Sequence, residues 1–501
     1  MNLLVPFFLA ATLATNIKQV ETRYDAVESK QLVPTLGEVV QFPTYEHNDD
    51  AHAAQKAWLL AKAKELGFTA RDAGAITEID LPGPANAPIL GLVVHGDVQP
   101  VDTDAWSFPP FSGKADAQYV YGRGSADDKG PLVQALLAMK ALKESGVDRT
   151  HTVRLLVGST EESDSAEMGE YLKTHAAPDY SLVLDSNFPV VVGEKAWEAL
   201  SVTAPSLDDR GPSTLPYTVA ALSAGLAPSI VPDHAEVTLR WKEGTAAWEP
   251  TMKALGAFAL PEGTRLAMAK DGETLRIVVY GHSAHAGVNL EGGRNALVAL
   301  ARLMEKKLPR GGADDLLSFA RTAGRDLHGG GLGITDRDPL WGTYAVNVAT
   351  IKSDAKDAQK KTLTINLRRI PPRSGADDRK KLFAFVDEWN RRNGASLTAD
   401  GYFDDEPLGF DPNGKLVKRL LRDYAAATGE TKPKPAISGG GTYAKRLPNA
   451  IAFGMWFPDK PYPGHDVDEK NPIADLQRGT RVLIHALTDI ATGERIEQAF
   501  K

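Results

Sequence analysis

The sequence predicts an α/β domain with a mostly parallel sheet, interrupted by an inserted α+β domain. Three observations predict it. Between Pro88 and Val192, short continuous apolar runs alternate with amphipathic helical stretches. Between Glu236 and Leu367 the apolar runs become half-polar, and helices lie between or after them. After Gly414 the first pattern returns, with two more helical stretches.

The elements follow in order. Ile89–Val94 is apolar throughout, the mark of a strand buried on both faces of a parallel sheet. Gly130–Ser145 reads as a helix with Leu132, Leu136, Met139 and Leu142 on one face. Thr152–Val157 is a second strand, Ala166–Lys173 a helix, and Ser181–Leu184 a third strand. In the middle, Glu236–Trp241, Thr274–Tyr280, Tyr344–Thr350 and Thr362–Leu367 read as half-exposed strands, with helices at Ala296–Lys306 and Arg379–Arg392. Gly414–Thr428 is a helix closed by Gly429, and Ile473–Ile490 is another. The layout is therefore a split α/β domain, 20–197 and 403–501, around an insertion at 198–402.

Composition narrows the chemistry. A chain of 501 residues accommodates roughly three domain-sized units at most. The 43% hydrophobic and 24% charged fractions are those of a globular chain, which excludes disorder for most of it. A net charge of -8 argues against nucleic acid as a partner, since phosphate binding needs a basic surface. There is no cysteine, which excludes disulfides, thiolate metal sites and a thiol nucleophile. A metal site must draw on His, Asp and Glu. The amino-terminal run Leu3–Ala14 is too short to span a bilayer, and Thr12 and Ala14 stand like the small pair before a signal-peptidase cut. The n-region carries no Lys or Arg. The expectation is a signal peptide over 1–14, a periplasmic or secreted protein, and no stable membrane anchor.

Ionisable residues recur where strands end. Ile89–Val94 runs into His95-Gly96-Asp97, Thr152–Val157 into Gly158-Ser159-Thr160-Glu161-Glu162, and Ser181–Leu184 into Asp185. Between them lies Gly122-Arg123-Gly124-Ser125-Ala126-Asp127-Asp128-Lys129-Gly130. Open α/β sheets bind ligands at the carboxyl ends of their strands. Imidazole and carboxylates converging there suit a borderline cation such as zinc. Asp97, two residues beyond His95, falls on the same side and can take the imidazole N–H. Each piece alone has a plainer reading as a loop or a solvated acidic pair; order and repetition raise the joint reading. A dinucleotide site is discounted because Asp127 stands where a third glycine belongs. His328-Gly329-Gly330-Gly331 looks like an oxyanion loop of esterases, but the chain has no G-x-S-x-G, so the run reads as a flexible loop of the insertion. HExxH is also absent.

Together these motifs resemble the di-zinc metallopeptidase family that includes aminoacylases, glutamate carboxypeptidases and, nearest to this chain, peptidase V-type dipeptidases. The stretches that carry the resemblance are HGDVQP from His95, YGRGSADDKGP from Tyr121, DSNFPVVVGEK from Asp185, SGGGTYA from Ser438 and GHDVDE from Gly464. It implies a zinc-exopeptidase-type catalytic domain with the insertion as a lid. It implies two Zn²⁺, with Mn²⁺ or Co²⁺ as substitutes, on His95, Asp127, Glu162, Asp185 and His465, Asp127 bridging. Glu161 becomes the general base that works on a hydroxide between the metals, and Asp97 the residue behind His95. His285, in GHSAHAG, becomes an oxyanion donor. Arg368, in INLRR, and Gly439, Gly440, Gly441 and Thr442 become the holders of a substrate carboxylate. Asp rather than Glu at position 185 implies a dipeptidase or aminopeptidase. The resemblance further implies a cis peptide after Asp127, a small peptide substrate, and a monomer in preference to a homodimer. The rivals are an N-acyl amino acid deacylase or carboxypeptidase, and a non-catalytic peptide- or metal-binding relative, against which Glu161 speaks. One departure is Ser229, where the family often has Asn.

Overall fold

A computed structural model describes the backbone of residues 4–500 except 209, 212 and 463, and side chains from residue 11 onward. The chain forms two units. Unit 1 combines Met1–Glu194 with Leu408–Lys501, and unit 2 is Lys195–Pro407.

Unit 1 is built on a sheet that is parallel in its centre and antiparallel at its margins. Thr152–Gly158, Ile89–His95, Tyr180–Val183 and Ala450–Ala452 run parallel in that spatial order. Ile76–Leu81 and Thr69–Ala73 add antiparallel strands on one side. Val191–Glu194 and Leu408–Gly409 do so on the other, where Ala436–Ser438 also pairs in parallel with Val191–Glu194. Alternation along the strands feeds two cores. Leu90, Leu92, Val94, Leu155 and Val157 join the larger one, with the helices Lys129–Glu144 and Ile473–Thr492. Val93, Leu156 and Val183 face Met168, Tyr171 and Tyr443 on the other side.

Register decides what the sheet presents. Gly158 lies opposite His95, and Val183 opposite Val93. Two residues past Val183, Asp185 is thus level with His95. The loop from Gly158 to Glu162 starts at the same level.

The helix Lys129–Glu144 departs from the one-faced reading. It is buried nearly all round, from Lys129 to Met139 and at Ala141 and Leu142. The cause is tertiary: the sheet covers one side, and the helices Leu4–Ala26, Leu32–Val40 and Ile473–Thr492 pack on the others. Gly429 closes the helix Lys415–Thr428 at φ 79°, donating to the Ala425 carbonyl, as its position implied. Residues 1–3 of the predicted signal peptide lie outside the described residues, and residues 4–26 are one helix. Among the described residues no helix is long and apolar enough to cross a membrane.

Unit 2 carries an eight-stranded antiparallel sheet. Its spatial order is Arg265–Asp271, Thr274–Tyr280, His234–Trp241, Tyr217–Ala224, Ala345–Ser353, Lys361–Arg368, Trp197–Ala204 and Thr398–Asp405. The two halves of this sheet join through a single register pair, Ala224 with Ile351. The helices Ala296–Leu303, Gly312–Ala323 and Gly375–Asn393 supply Leu297, Leu300, Leu316, Phe319 and Trp389 to the core. The strand Ala345–Ser353 corrects the half-exposed reading, since its first seven residues are buried. The glycine run after His328 is a tied turn: Asp326 accepts from the His328 and Gly330 N–H groups at 2.9 and 3.0 Å.

Candidate metal centre

The residues at the strand ends of unit 1 meet in one buried cluster. His95 Nε2 lies 3.1 Å from Asp127 Oδ1 and 3.7 Å from Asp185 Oδ2. His465 Nε2 lies 3.2 Å from Asp127 Oδ2 and 3.0 Å from both carboxylate oxygens of Glu162. Asp127 thus offers one oxygen to each of two histidines. His95, Glu161 and Asp185 place ligand atoms within 4.8 Å of one another, and so do His95, Asp127 and Glu162.

A layer of hydrogen bonds holds these groups. His95 Nδ1 is 3.0 Å from the Asp97 carbonyl and 3.4 Å from its Oδ1. The Asp97 carboxylate also accepts the backbone N–H of Glu161 at 3.2 Å and of Glu162 at 2.9 Å. One side chain therefore orients a histidine and shapes the acidic turn. Asp128 Oδ2 accepts the His95 N–H at 3.1 Å. The Asp127–Asp128 peptide is cis, as the resemblance implies.

Several contributors went unassigned in the sequence. Gln99 donates to the Glu162 carbonyl at 3.1 Å and to its Oε2 at 2.9 Å. Glu469 accepts from the N–H groups of Gly124, Ala126 and Asp127 at 3.0, 2.9 and 3.3 Å, and from Arg123 at 2.7 Å. It fastens the loop that presents Asp127. The Tyr462 hydroxyl donates to Asp127 Oδ2. Gly464 must lack a side chain, because a Cβ there would stand 2.2 Å from that hydroxyl and 2.9 Å from Asp127 Oδ2. Glu469 was visible only as the end of the GHDVDE stretch; Gln99 and Tyr462 had no signal beyond lying inside or beside the motifs.

Electrostatics show what the cluster wants. Burial disfavours a charged His95, but hydrogen bonds to Asp127 and Asp97 outweigh it and hold its pKa well above the ordinary value. Burial likewise opposes a charged His465, yet Glu162 and Asp127 raise it to about 10. Burial would raise Asp127, but bonds to His465 and His95 carry it well below the usual range. Burial pushes Asp185 up, reinforced by Asp127 and Asp128. Burial does the same to Glu161, against the pull of His95. Buried acids here outnumber the basic groups that balance them. Nitrogen and carboxylate donors without thiols, in such an excess of negative charge, fit a divalent cation.

The glycine loop also belongs to unit 1. Gly439, Gly440 and Gly441 follow the strand Ala436–Ser438, and the Gly440 N–H donates to Ser438 Oγ at 3.0 Å. Thr442 corrects its expected part. Its N–H and hydroxyl both donate to Glu194, at 3.1 and 2.7 Å, so they anchor the loop instead of facing a ligand. The next residue, Tyr443, donates to Glu167, which also accepts the N–H groups of Ser159 and Thr160 at 3.1 and 2.9 Å. One acidic residue thereby links the glycine loop to the turn bearing Glu161.

In unit 2, His285 Nδ1 accepts the N–H groups of Gly287 at 3.0 Å and Val288 at 2.9 Å. An accepting Nδ1 puts the ring proton on Nε2, which makes that atom a donor. Arg368 is buried, with Nε donating to Asn366 Oδ1 at 3.0 Å and Nη2 to Ser229 Oγ at 3.3 Å. His285 and Arg368 flank the same short segment, which pairs with His285 at Ile230 and reaches Arg368 from Ser229.

Comparison with known proteins adds a second line. The sequence model of peptidase family M20/M25/M40 matches residues 91–489. The putative dipeptidase YtjP of Bacillus subtilis (strain 168) is 27% identical over 468 residues, covering 93% of this chain and 96% of that protein. The Beta-Ala-Xaa dipeptidase of Lactobacillus delbrueckii subsp. lactis is 27% identical over 493 residues, covering 96% and 99%. Among solved structures, the Saccharomyces cerevisiae dipeptidase Dug1p aligns with TM-score 0.60 and 13% identity over 95% of this chain and 98% of that one. Human carnosine dipeptidase 1 aligns with TM-score 0.59 and 13% identity over 96% and 98%. At that identity the two structures speak to the fold.

Proposed function

The chain belongs to peptidase family M20/M25/M40, and from that premise we propose that it is a zinc-dependent dipeptidase with two metal positions. The observation that carries the reading is Asp127, which turns one oxygen toward His95 and the other toward His465. His95, Asp127 and Asp185 would hold one metal, and His465, Asp127 and Glu162 the other. When bound, the metals polarise the scissile carbonyl and lower the pKa of the attacking water. Of the adjacent acids, Glu162 is held by His465 and Gln99. Glu161 is therefore the one assigned to take the proton from water and deliver it to the leaving amine. Asp97 keeps His95 oriented throughout.

Unit 2 contributes recognition in this reading. His285 Nε2–H donates to the carbonyl oxygen as negative charge develops there. Arg368 receives the carboxylate of the peptide, for which a planar guanidinium is suited. Gly439 and Gly441 would add backbone N–H groups, that of Gly440 being engaged by Ser438. A free amine at one end and a carboxylate two residues away define a dipeptide. The relatives named dipeptidases, and Asp at position 185, favour this substrate class over acylated amino acids. The reading includes export and a monomeric state, checked by amino-terminal sequencing of the mature protein and by its mass in solution.

The test is a panel of dipeptides, tripeptides, N-acetylated dipeptides and acylated amino acids, assayed after chelation and after zinc is restored. Zinc-restored cleavage of free dipeptides is the expected result. Preference for the acylated compounds would replace the dipeptidase reading with a deacylase.

A further inference from the structure

The segment Pro228–Val231 of unit 2 touches both residues of that unit to which the dipeptidase reading gives substrate contacts. Its main chain runs beside His285. The Ala286 N–H donates to the Ser229 carbonyl at 2.9 Å, the Val231 N–H donates to the Ala284 carbonyl at 2.9 Å, and Ile230 bridges to His285 itself. Its one hydroxyl is turned to the other residue. Ser229 Oγ accepts Arg368 Nη2–H at 3.3 Å and Trp197 Nε1–H at 2.9 Å. A single residue thus grips the His285 loop through its carbonyl and the Arg368 guanidinium through its side chain.

The segment is braced from behind. Asn347 is 2% exposed, and its amide donates to the Pro228 carbonyl at 3.1 Å and to the Ile230 carbonyl at 2.9 Å. Its Oδ1 accepts from Asn295 at 3.3 Å. The carbonyls on either side of Ser229 are therefore pinned by one buried side chain. Arg368 is also 2% exposed, and Asn366 holds its Nε. A long side chain gripped at two points in a buried setting has little rotamer freedom left to lose when it meets an anion.

We infer that Ser229 is a positioning residue that sets the separation between the His285 imidazole and the Arg368 guanidinium, and through it the length of peptide accepted. This rests on the dipeptidase reading. The oxyanion donor and the carboxylate clamp act as the two marks of a ruler, and the serine is the rigid piece between them. A misplacement on the ångström scale at such a clamp costs up to about 10²-fold in rate.

The experiment compares one dipeptide, its C-terminal amide and the corresponding tripeptide on the zinc-loaded full chain. Variants are Ser229→Ala, Ser229→Thr, Ser229→Val and Trp197→Phe. Loss of the hydroxyl in Ser229→Ala is expected to lower kcat/KM for the dipeptide on the order of tenfold, through KM. The preference for acid over amide contracts, and the tripeptide gains relative to the dipeptide. Ser229→Thr keeps the hydroxyl and restores the preference; Ser229→Val, of nearly the same shape, does not. That pair decides the matter even where the alanine variant is poorly folded, because both members load the fold alike. Trp197→Phe leaves Ser229 with Arg368 and keeps the preference. An undiminished acid preference in Ser229→Ala overturns the inference. So does equal behaviour of the threonine and valine variants, or a contraction in Trp197→Phe as large as in Ser229→Ala, which would make the hydroxyl a tryptophan partner only. A wild-type enzyme with no preference for dipeptide acids fails earlier, and fails the dipeptidase reading itself.

Discussion

The candidate metal cluster of unit 1 and the His285–Arg368 group of unit 2 are organised on different terms. In unit 1 the functional groups face one another. His95, Asp127, Glu162, Asp185 and His465 approach one another directly, and the excess of buried acid calls for added positive charge. In unit 2 neutral dipoles take part in holding the functional groups. Two backbone N–H groups fix the His285 ring, and an amide and a hydroxyl fix Arg368. The first arrangement leaves a charge to be supplied, and the second leaves only an orientation to be used. Substitutions in unit 1 should therefore move metal content or kcat, while those at Arg368 in unit 2 should move KM and substrate discrimination at constant metal content.

Four substitutions test that division. The largest effect is expected from Glu161→Gln, with kcat down about 10²–10⁴-fold because an amide cannot take the proton. Metal content, measured by elemental analysis, should hold. Near-normal turnover with both metals present would remove Glu161 from its role. Asp97→Asn should weaken metal binding by about 10–100-fold in a chelator competition. The amide nitrogen cannot accept from Glu161 or Glu162, so the acidic turn relaxes together with the His95 ring. An unchanged affinity would mean that the turn holds itself.

On the other side of the comparison, Arg368→Ala should remove most of the difference between dipeptide acids and amides. A hydrogen bond to a charged group is worth about 1.5–3 kcal/mol, or about 10–150-fold in kcat/KM. Loss of metal from this variant would break the division of labour outright. The smallest effect belongs to Gln99→Ala. It removes one neutral donor from Glu162, worth about 1 kcal/mol, and should weaken metal binding about fivefold while leaving acid-over-amide preference alone. A change in that preference would mean that Gln99 also bears on the substrate carboxylate.

The sequence made the metal donors legible for a structural reason. Parallel strands put their carboxyl ends on one edge, so His95, the Glu161–Glu162 turn and Asp185 could be grouped from order alone, and the observed register sets them level. Partners chosen by tertiary approach left no such trace. Glu194 takes both donors of Thr442 across 248 residues of sequence. Glu469 reaches Ala126 across 343 residues. The hydroxyl of Ser229 was visible as a departure, but its link to Trp197 and Arg368 exists only once three separate pieces of chain are folded together. Helical periodicity likewise showed one apolar face of Lys129–Glu144, because three covering helices are invisible to a local pattern.

The clasp of Glu469 on the loop before Asp127 has a consequence for how the protein is made. Both that residue and His465 emerge from the ribosome only after the whole of unit 2, so the earlier strands wait for more than half of the chain before their loop can be fastened. Contacts of such long sequence separation form late, after the loop-closure entropy between them has been met. The nascent amino-terminal part therefore carries His95, Asp127, Glu162 and Asp185 without His465, and the full set of candidate cation donors is present only when synthesis is nearly over. A chain cut short between positions 185 and 465 would keep four of the five candidate donors and part of its sheet, yet lack His465 and the Glu469 clasp on the loop before Asp127.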